Sequence, residues 1–286
     1  MAWIGSVWAG WKTPREALDR RLVSADFRIF YTFDGSNAFP LDVSAGDRPT
    51  RATDYLDALV EQLNRADDYY RKSLGLRPPL AGTRYATMRS IDIHIMHLEG
   101  RTGSTGDEIH SFRYRHFEPS PAALAIALSN RWQPTSVTPA HELFHSYQYG
   151  YTFFKNSWFL EGMARASESY LHFKAGNQST LPRSQAQLDN LIKQSYKAET
   201  LWNRITHLCG LDVLRTTLDA YGRLDREAAQ ARGIDPMAWQ EEEQRSDANN
   251  PYLLHGLLEA MESSCPTNGR GELGEFKRLL KAQGIR

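Results

Sequence analysis

Thr138-Pro139-Ala140-His141-Glu142-Leu143-Phe144-His145, with Trp158-Phe159-Leu160-Glu161-Gly162-Met163-Ala164 shortly after it, is the stretch that decides how this chain is read. Its first segment opens as a helix does: Thr138 is a candidate N-cap, and Pro139 suits the first turn. On that helix His141 and His145 lie four residues apart and stand one above the other on the same face. Both imidazoles can then reach one ion at about 2.0 to 2.1 Å. Glu142 is next to one histidine and three residues before the other, so it points beside the ion. From there a carboxylate can hold a water and take its proton, and zinc lowers the pKa of such a water from about 15.7 to about 7.

His141 to His145 therefore carry the H-E-x-x-H pattern of zinc hydrolases. The competing reading makes His141 and His145 ordinary helix-face residues and Glu142 a solvated charge. Histidine occurs only 9 times in 286 residues, so composition alone seldom produces the pattern. The helix start and the downstream carboxylate of Glu161 point the same way, which favours a metal site over chance. Glu168 lies seven residues beyond Glu161, on the same helix face. It is the alternative third ligand, an outer carboxylate orienting a ligand imidazole, or a surface acid.

Working outward, 286 residues are enough for one large domain or two lobes with a real core, and the hydrophobic and charged fractions are those of an ordinary globular protein. Lys and Arg number 34 and so do Asp and Glu, so no global field recruits nucleic acid or an anionic membrane, and neither is an expected partner. Cys209 and Cys265 are too few for a disulfide framework or an all-cysteine zinc site; buried thiols and one bridge are both compatible with them. Residues 1–11 are apolar but lack a basic n-region and a long h-region, and Trp3, Trp8 and Trp11 are unusual in a signal core, so no signal peptide is expected. No run approaches the length of about 20 apolar residues that spans a bilayer. A soluble protein is expected.

Residues 27–33 are β-branched and aromatic and end in the Asp34-Gly35 turn, which reads as a strand. Across residues 51–74, Leu56, Leu59, Leu63, Ala66 and Tyr70 recur at helical spacing, and Gly75 ends the helix. Tyr69 and Tyr70 read as core packing. After the Arg77-Pro78-Pro79 linker, residues 91–96 alternate as a half-buried strand, and its His94 with the nearby His97 makes no recognised ligand spacing. Gly100, Gly103 and Gly106 read as a flexible surface loop without P-loop character. The apolar run 122–129 reads as a strand beside the ligand helix. If it is a sheet edge, an extended peptide could add to it.

Helical patterns fill residues 158–173, 185–196, 199–205, 212–221, 236–244, 252–262 and 272–281. Strands first and helices second indicate an α+β fold. The expected division is an extension over residues 1–21, an α/β lobe with the zinc-binding helix over 22–150, and a helical lobe with the third ligand over 151–286, the ligand helix lying at the junction of the two lobes.

A metzincin would place glycine and histidine where Gln148 and Tyr151 stand, which excludes that class. The run from Pro139 to Gln148, Pro139-Ala140-His141-Glu142-Leu143-Phe144-His145-Ser146-Tyr147-Gln148, together with Trp158-Phe159-Leu160-Glu161-Gly162-Met163-Ala164, resembles instead the peptidase MA-like families of the gluzincin zinc metalloproteases. The resemblance covers about residues 26–168 and is specific at the two segments named, although the gap to Glu161 is a few residues shorter than in the best-known gluzincins. It implies a thermolysin-like core with Zn²⁺ held by His141, His145 and Glu161, and Glu142 as general base. It also implies an oxyanion donor, a Tyr or His, from the helical lobe. Tyr252 and His255, three apart after Pro251, are the candidates, with Tyr170, His172 and His207 competing. The expectation is a zinc metallopeptidase acting on a peptide or protein substrate. The alternatives are a catalytically silent metal-binding pseudopeptidase serving as a protein-binding module, and a metal-free helical interaction protein.

Overall fold

Residues 91–96, expected as a half-buried strand from their alternation, form instead a strand buried at all six positions, since it is central in the sheet. The computed structural model describes residues 15–118, 120–171, 176–235, 237–265 and 271–283. Within them β1 (Arg20–Ser24), β2 (Phe27–Tyr31), β3 (Ile91–Met96), β4 (Gly103–Thr105), β5 (His110–Phe112) and β6 (Ser120–Ser129) make one sheet in the order β1-β2-β3-β6-β4, with β5 also pairing β6. The strands β2, β3 and β6 run parallel, and β1, β4 and β5 pair antiparallel, so the sheet is mixed and the fold α+β. Register puts Ile93 beside Ile29 and Ile126, and His94 beside Phe30 and Ala127. Side chains alternate across a sheet, so one face is aliphatic while the other carries Asp92 and His94 among aromatic rings and alanines.

Two further expectations about this sheet need correcting. The run 122–129 is not an edge, because β6 is flanked by β3 on one side and by β4 and β5 on the other. The glycine-rich residues 100–106 are not simply a surface loop either: Gly103–Thr105 is a strand. The Ser129 amide donates to the Thr102 carbonyl at 2.9 Å and the Gly106 amide to the Ala125 carbonyl at 3.1 Å, so this short polar segment is ordered by the backbone of β6.

The sheet belongs to a compact unit made of the described residues up to Asp67 together with Pro78–Ser146. In this unit α1 (Arg48–Asp68) buries Ala52, Tyr55, Leu56, Leu59, Leu63 and Ala66, the stripe that the helical spacing predicts. The last turn continues as a π-helix over Tyr69–Ser73, and Gly75 at φ +64° ends it.

A second unit comprises Asp68–Arg77 and the described residues from Tyr147 onward. The helix α2 (Thr138–Tyr151) runs from the first unit into the second, and α3 (Ser157–Leu171), α4 (Gln185–Ile192), α5 (Glu199–Cys209), α6 (Asp212–Ala231), α7 (Glu241–Gln244), α8 (Asn250–Ser264) and α9 (Gly271–Ala282) follow. Trp158 on α3 stacks on Trp202 of α5 with ring centroids 5.9 Å apart, and the Trp202 indole donates to the Trp158 carbonyl at 3.1 Å. Gly162 permits the approach: a Cβ there would lie 2.8 Å from that of Ala198. Tyr70 is buried with its ring 5.4 Å from Tyr147, as core packing predicts.

The helix expected to stop at residue 221 continues to Ala231. Its Gly222 is a contact point rather than a terminator, since a Cβ there would sit 2.4 Å from the Tyr151 carbonyl oxygen. The expected helix 185–196 ends at Ile192, and that expected from 236 begins at Glu241; Pro236 itself lies outside the described residues, as do residues 1–14 and 172–175. Cys209 and Cys265 are bridged, joining the end of α5 to the end of α8. Among the described residues no helix is long and apolar enough to cross a membrane.

Candidate metal centre

The first turn of α2 is fastened before the candidate ligand residues begin. Thr138 is its first helical residue, not the cap: the Ser136 hydroxyl lies 2.9 Å from the Thr138 hydroxyl and accepts from the Thr138 amide at 3.4 Å. Gln62 on α1 donates to the Ser136 carbonyl at 2.9 Å and accepts from the Ala140 amide at 3.4 Å. Those contacts satisfy amides that a helix start leaves without intrahelical partners.

One turn on, His141, Glu142 and His145 are only 6%, 7% and 5% exposed, and the two imidazole rings stand perpendicular with centroids 4.7 Å apart. Leu143, Phe144 and Tyr147 on the same helix are fully buried. Half-buried Glu161 on α3 joins them. One nitrogen from each histidine and one oxygen from Glu161 all lie within 4.8 Å of one another, the one such group of three among the described residues. A tetrahedral ion with donors at about 2.1 Å keeps them about 3.4 Å apart, so small side-chain adjustments close the set. Two imidazoles and a carboxylate suit a divalent metal ion.

Beside this group the Glu142 carboxylate is held from β4. The Thr105 hydroxyl lies 2.7 Å from Glu142 Oε2 and 2.9 Å from the Glu142 carbonyl oxygen. Nothing local in the Gly103-Ser104-Thr105 sequence announces this contact, which depends on the pairing of β4 with β6.

The other residues singled out have their own surroundings. Glu168 is outside the group of three and binds Arg165 Nη1 at 2.6 Å, with Arg165 Nε 3.6 Å from Glu199. The Tyr252 ring lies 6.4 Å from that of Phe154, His255 Nε2 is 3.1 Å from Glu259, and His207 sits in the last turn of α5. His172 and the Tyr170 side chain lie outside the described residues.

His94 and His97 are not in the metal group. The His97 amide donates to Asn37 at 2.9 Å. His94 is fully buried, 2.7 Å from the Tyr114 hydroxyl, which donates to Asp92 at 2.9 Å, while Arg28 donates two 2.8 Å hydrogen bonds to the same carboxylate. Burial, reinforced by Arg15, Arg28 and His110, pushes the His94 imidazole well below its usual pKa. Burial also pushes the Asp92 carboxyl up, outweighing the opposite pull of Arg28, Tyr114 and Ser90.

Comparison of the chain with protein-family models, with curated proteins and with solved structures finds no match.

Proposed function

We infer that the chain is a zinc-dependent metallopeptidase of gluzincin type, built on a thermolysin-like core. The observation that supports this most is the gathering of His141, His145 and Glu161 donors within 4.8 Å, with Glu142 between the two histidines in sequence. Zinc is the metal that this donor set and the H-E-x-x-H pattern favour, and when bound it supplies Lewis acidity to water and to a peptide carbonyl. Glu142 takes the proton from the attacking water as the C–O bond forms, then passes it to the departing amine as the C–N bond breaks. Tyr252 and His255 remain the candidate donors to the oxyanion. An extended peptide would be aligned by main-chain hydrogen bonds along β4, which ends the strand order and carries the Thr105 contact to Glu142. The Cys209–Cys265 bridge favours an oxidising compartment.

The test is hydrolysis of a broad peptide library by wild type and Glu142→Gln, with zinc content measured in both. The expected result is bound zinc in both and turnover lost by about 10³-fold in the variant. Zinc without turnover in either protein would support the pseudopeptidase instead, and no zinc in either would leave the metal-free reading.

A further inference from the structure

The glycine-rich segment before residue 106 supplies none of the three gathered donors, yet it touches Glu142. Register pairs Gly103 with Leu128 and Thr105 with Ile126, and the two residues, being two apart, face the same side of the sheet. That side is occupied by the start of α2. A Cβ on Gly103 would lie 2.6 Å from Glu142 Oε1, 2.7 Å from its Cγ and 2.7 Å from Thr138 Cγ2. Contacts under 3 Å force something to move, so the Glu142 side chain lies against bare backbone at Gly103. Two residues on, the Thr105 hydroxyl faces both Oε2 and the backbone carbonyl of the same glutamate, at 2.7 and 2.9 Å.

We propose that Thr105 is a positioning residue for Glu142. Its single hydroxyl proton, shared between the carboxylate and the glutamate's own backbone carbonyl, fixes the side-chain rotamer, while Gly103 provides the space in which that rotamer fits. A free glutamate has several rotamers within reach, and only some aim the carboxylate beside the metal donors. Because β4 is laddered to β6, Thr105 is held by the sheet and not by a loop. The Thr105 proton stays on Thr105 throughout; the proton that moves from water to the leaving amine is carried by Glu142 alone. This inference rests on the metallopeptidase reading.

The experiment compares wild type, Thr105→Val, Thr105→Ser and Glu142→Gln for kcat, KM and zinc content on one peptide substrate. Valine keeps the shape and removes the hydroxyl; serine keeps the hydroxyl and removes the methyl. Thr105→Val is expected to lower kcat about 10- to 100-fold, the scale of a displaced catalytic group, with KM changed less than about twofold and zinc content unchanged. Thr105→Ser is expected to stay within about threefold of wild type. A crystal structure of Thr105→Val is expected to show the carboxylate moved from its place over Gly103. Turnover lost in Glu142→Gln but kept in Thr105→Val overturns this proposal alone, as does an equal loss in Thr105→Val and Thr105→Ser. Equal inactivity of wild type and Glu142→Gln overturns the parent reading and this one with it.

Discussion

Among the described residues buried histidines occur in two places, His141 with His145 and His94 alone, and the two places differ in what surrounds them. His141 and His145 face each other at right angles and share their space with a carboxylate oxygen of Glu161. His94 lies among the rings of Phe30, Phe112 and Tyr114, and its Nε2 meets a phenol hydroxyl. Burial alone therefore does not make a ligand. What distinguishes the first set is the gathering of three donor atoms within 4.8 Å, with a second carboxylate, Glu142, next to His141 in sequence. Around His94, Asp92 is taken up by Arg28 and Tyr114, which leaves the cluster as a buried strut on one face of the sheet.

That contrast predicts different readouts for the two sets. The largest effect belongs to the strut: Asp92→Asn leaves Arg28 without its charged partner and is expected to cost about 3 kcal/mol of stability, read by denaturant unfolding, with zinc content unchanged. Loss of zinc in that variant would break the distinction. A smaller effect concerns pH. The folded-state pKa of His94 is depressed below its unfolded value of about 6.5, so its contribution to stability is present above that pH and lost as pH falls below it. Unfolding of the chelator-treated protein between about pH 7 and 5 is expected to show a steeper fall in wild type than in His94→Gln. Identical profiles would mean that His94 does not titrate differently on folding. The smallest effect is that of Glu168→Gln: its ion pair with Arg165 is partly exposed, so stability is expected to change by less than about 1 kcal/mol and zinc to be retained. Zinc loss there would move the third ligand from Glu161 to Glu168.

Most of the elements that carry the core were legible because their own periodicity specifies them. Residues 91–96 alternate in sequence, α1 repeats its apolar stripe, and α2 is marked by His141 and His145 four apart. What was not legible depends on contacts distant in sequence. Gly103-Ser104-Thr105 is only three residues long with a single β-branched side chain; it is a strand because β6 pairs with it. Gly222 reads as a helix end, yet packing against the Tyr151 carbonyl requires a glycine in mid-helix. The same limit hid Thr105: the H-E-x-x-H pattern names the candidate donors and Glu142, while the hydroxyl that contacts Glu142 is 37 residues away.

The central claim is that His141, His145 and Glu161 hold one metal ion. Zinc stoichiometry and affinity, measured by equilibrium dialysis for wild type and Glu161→Ala, test it most directly. The account predicts about one zinc per wild-type chain and an affinity at least about 100-fold weaker once the third ligand is gone. No bound zinc in wild type, or equal affinity in the two proteins, would contradict it.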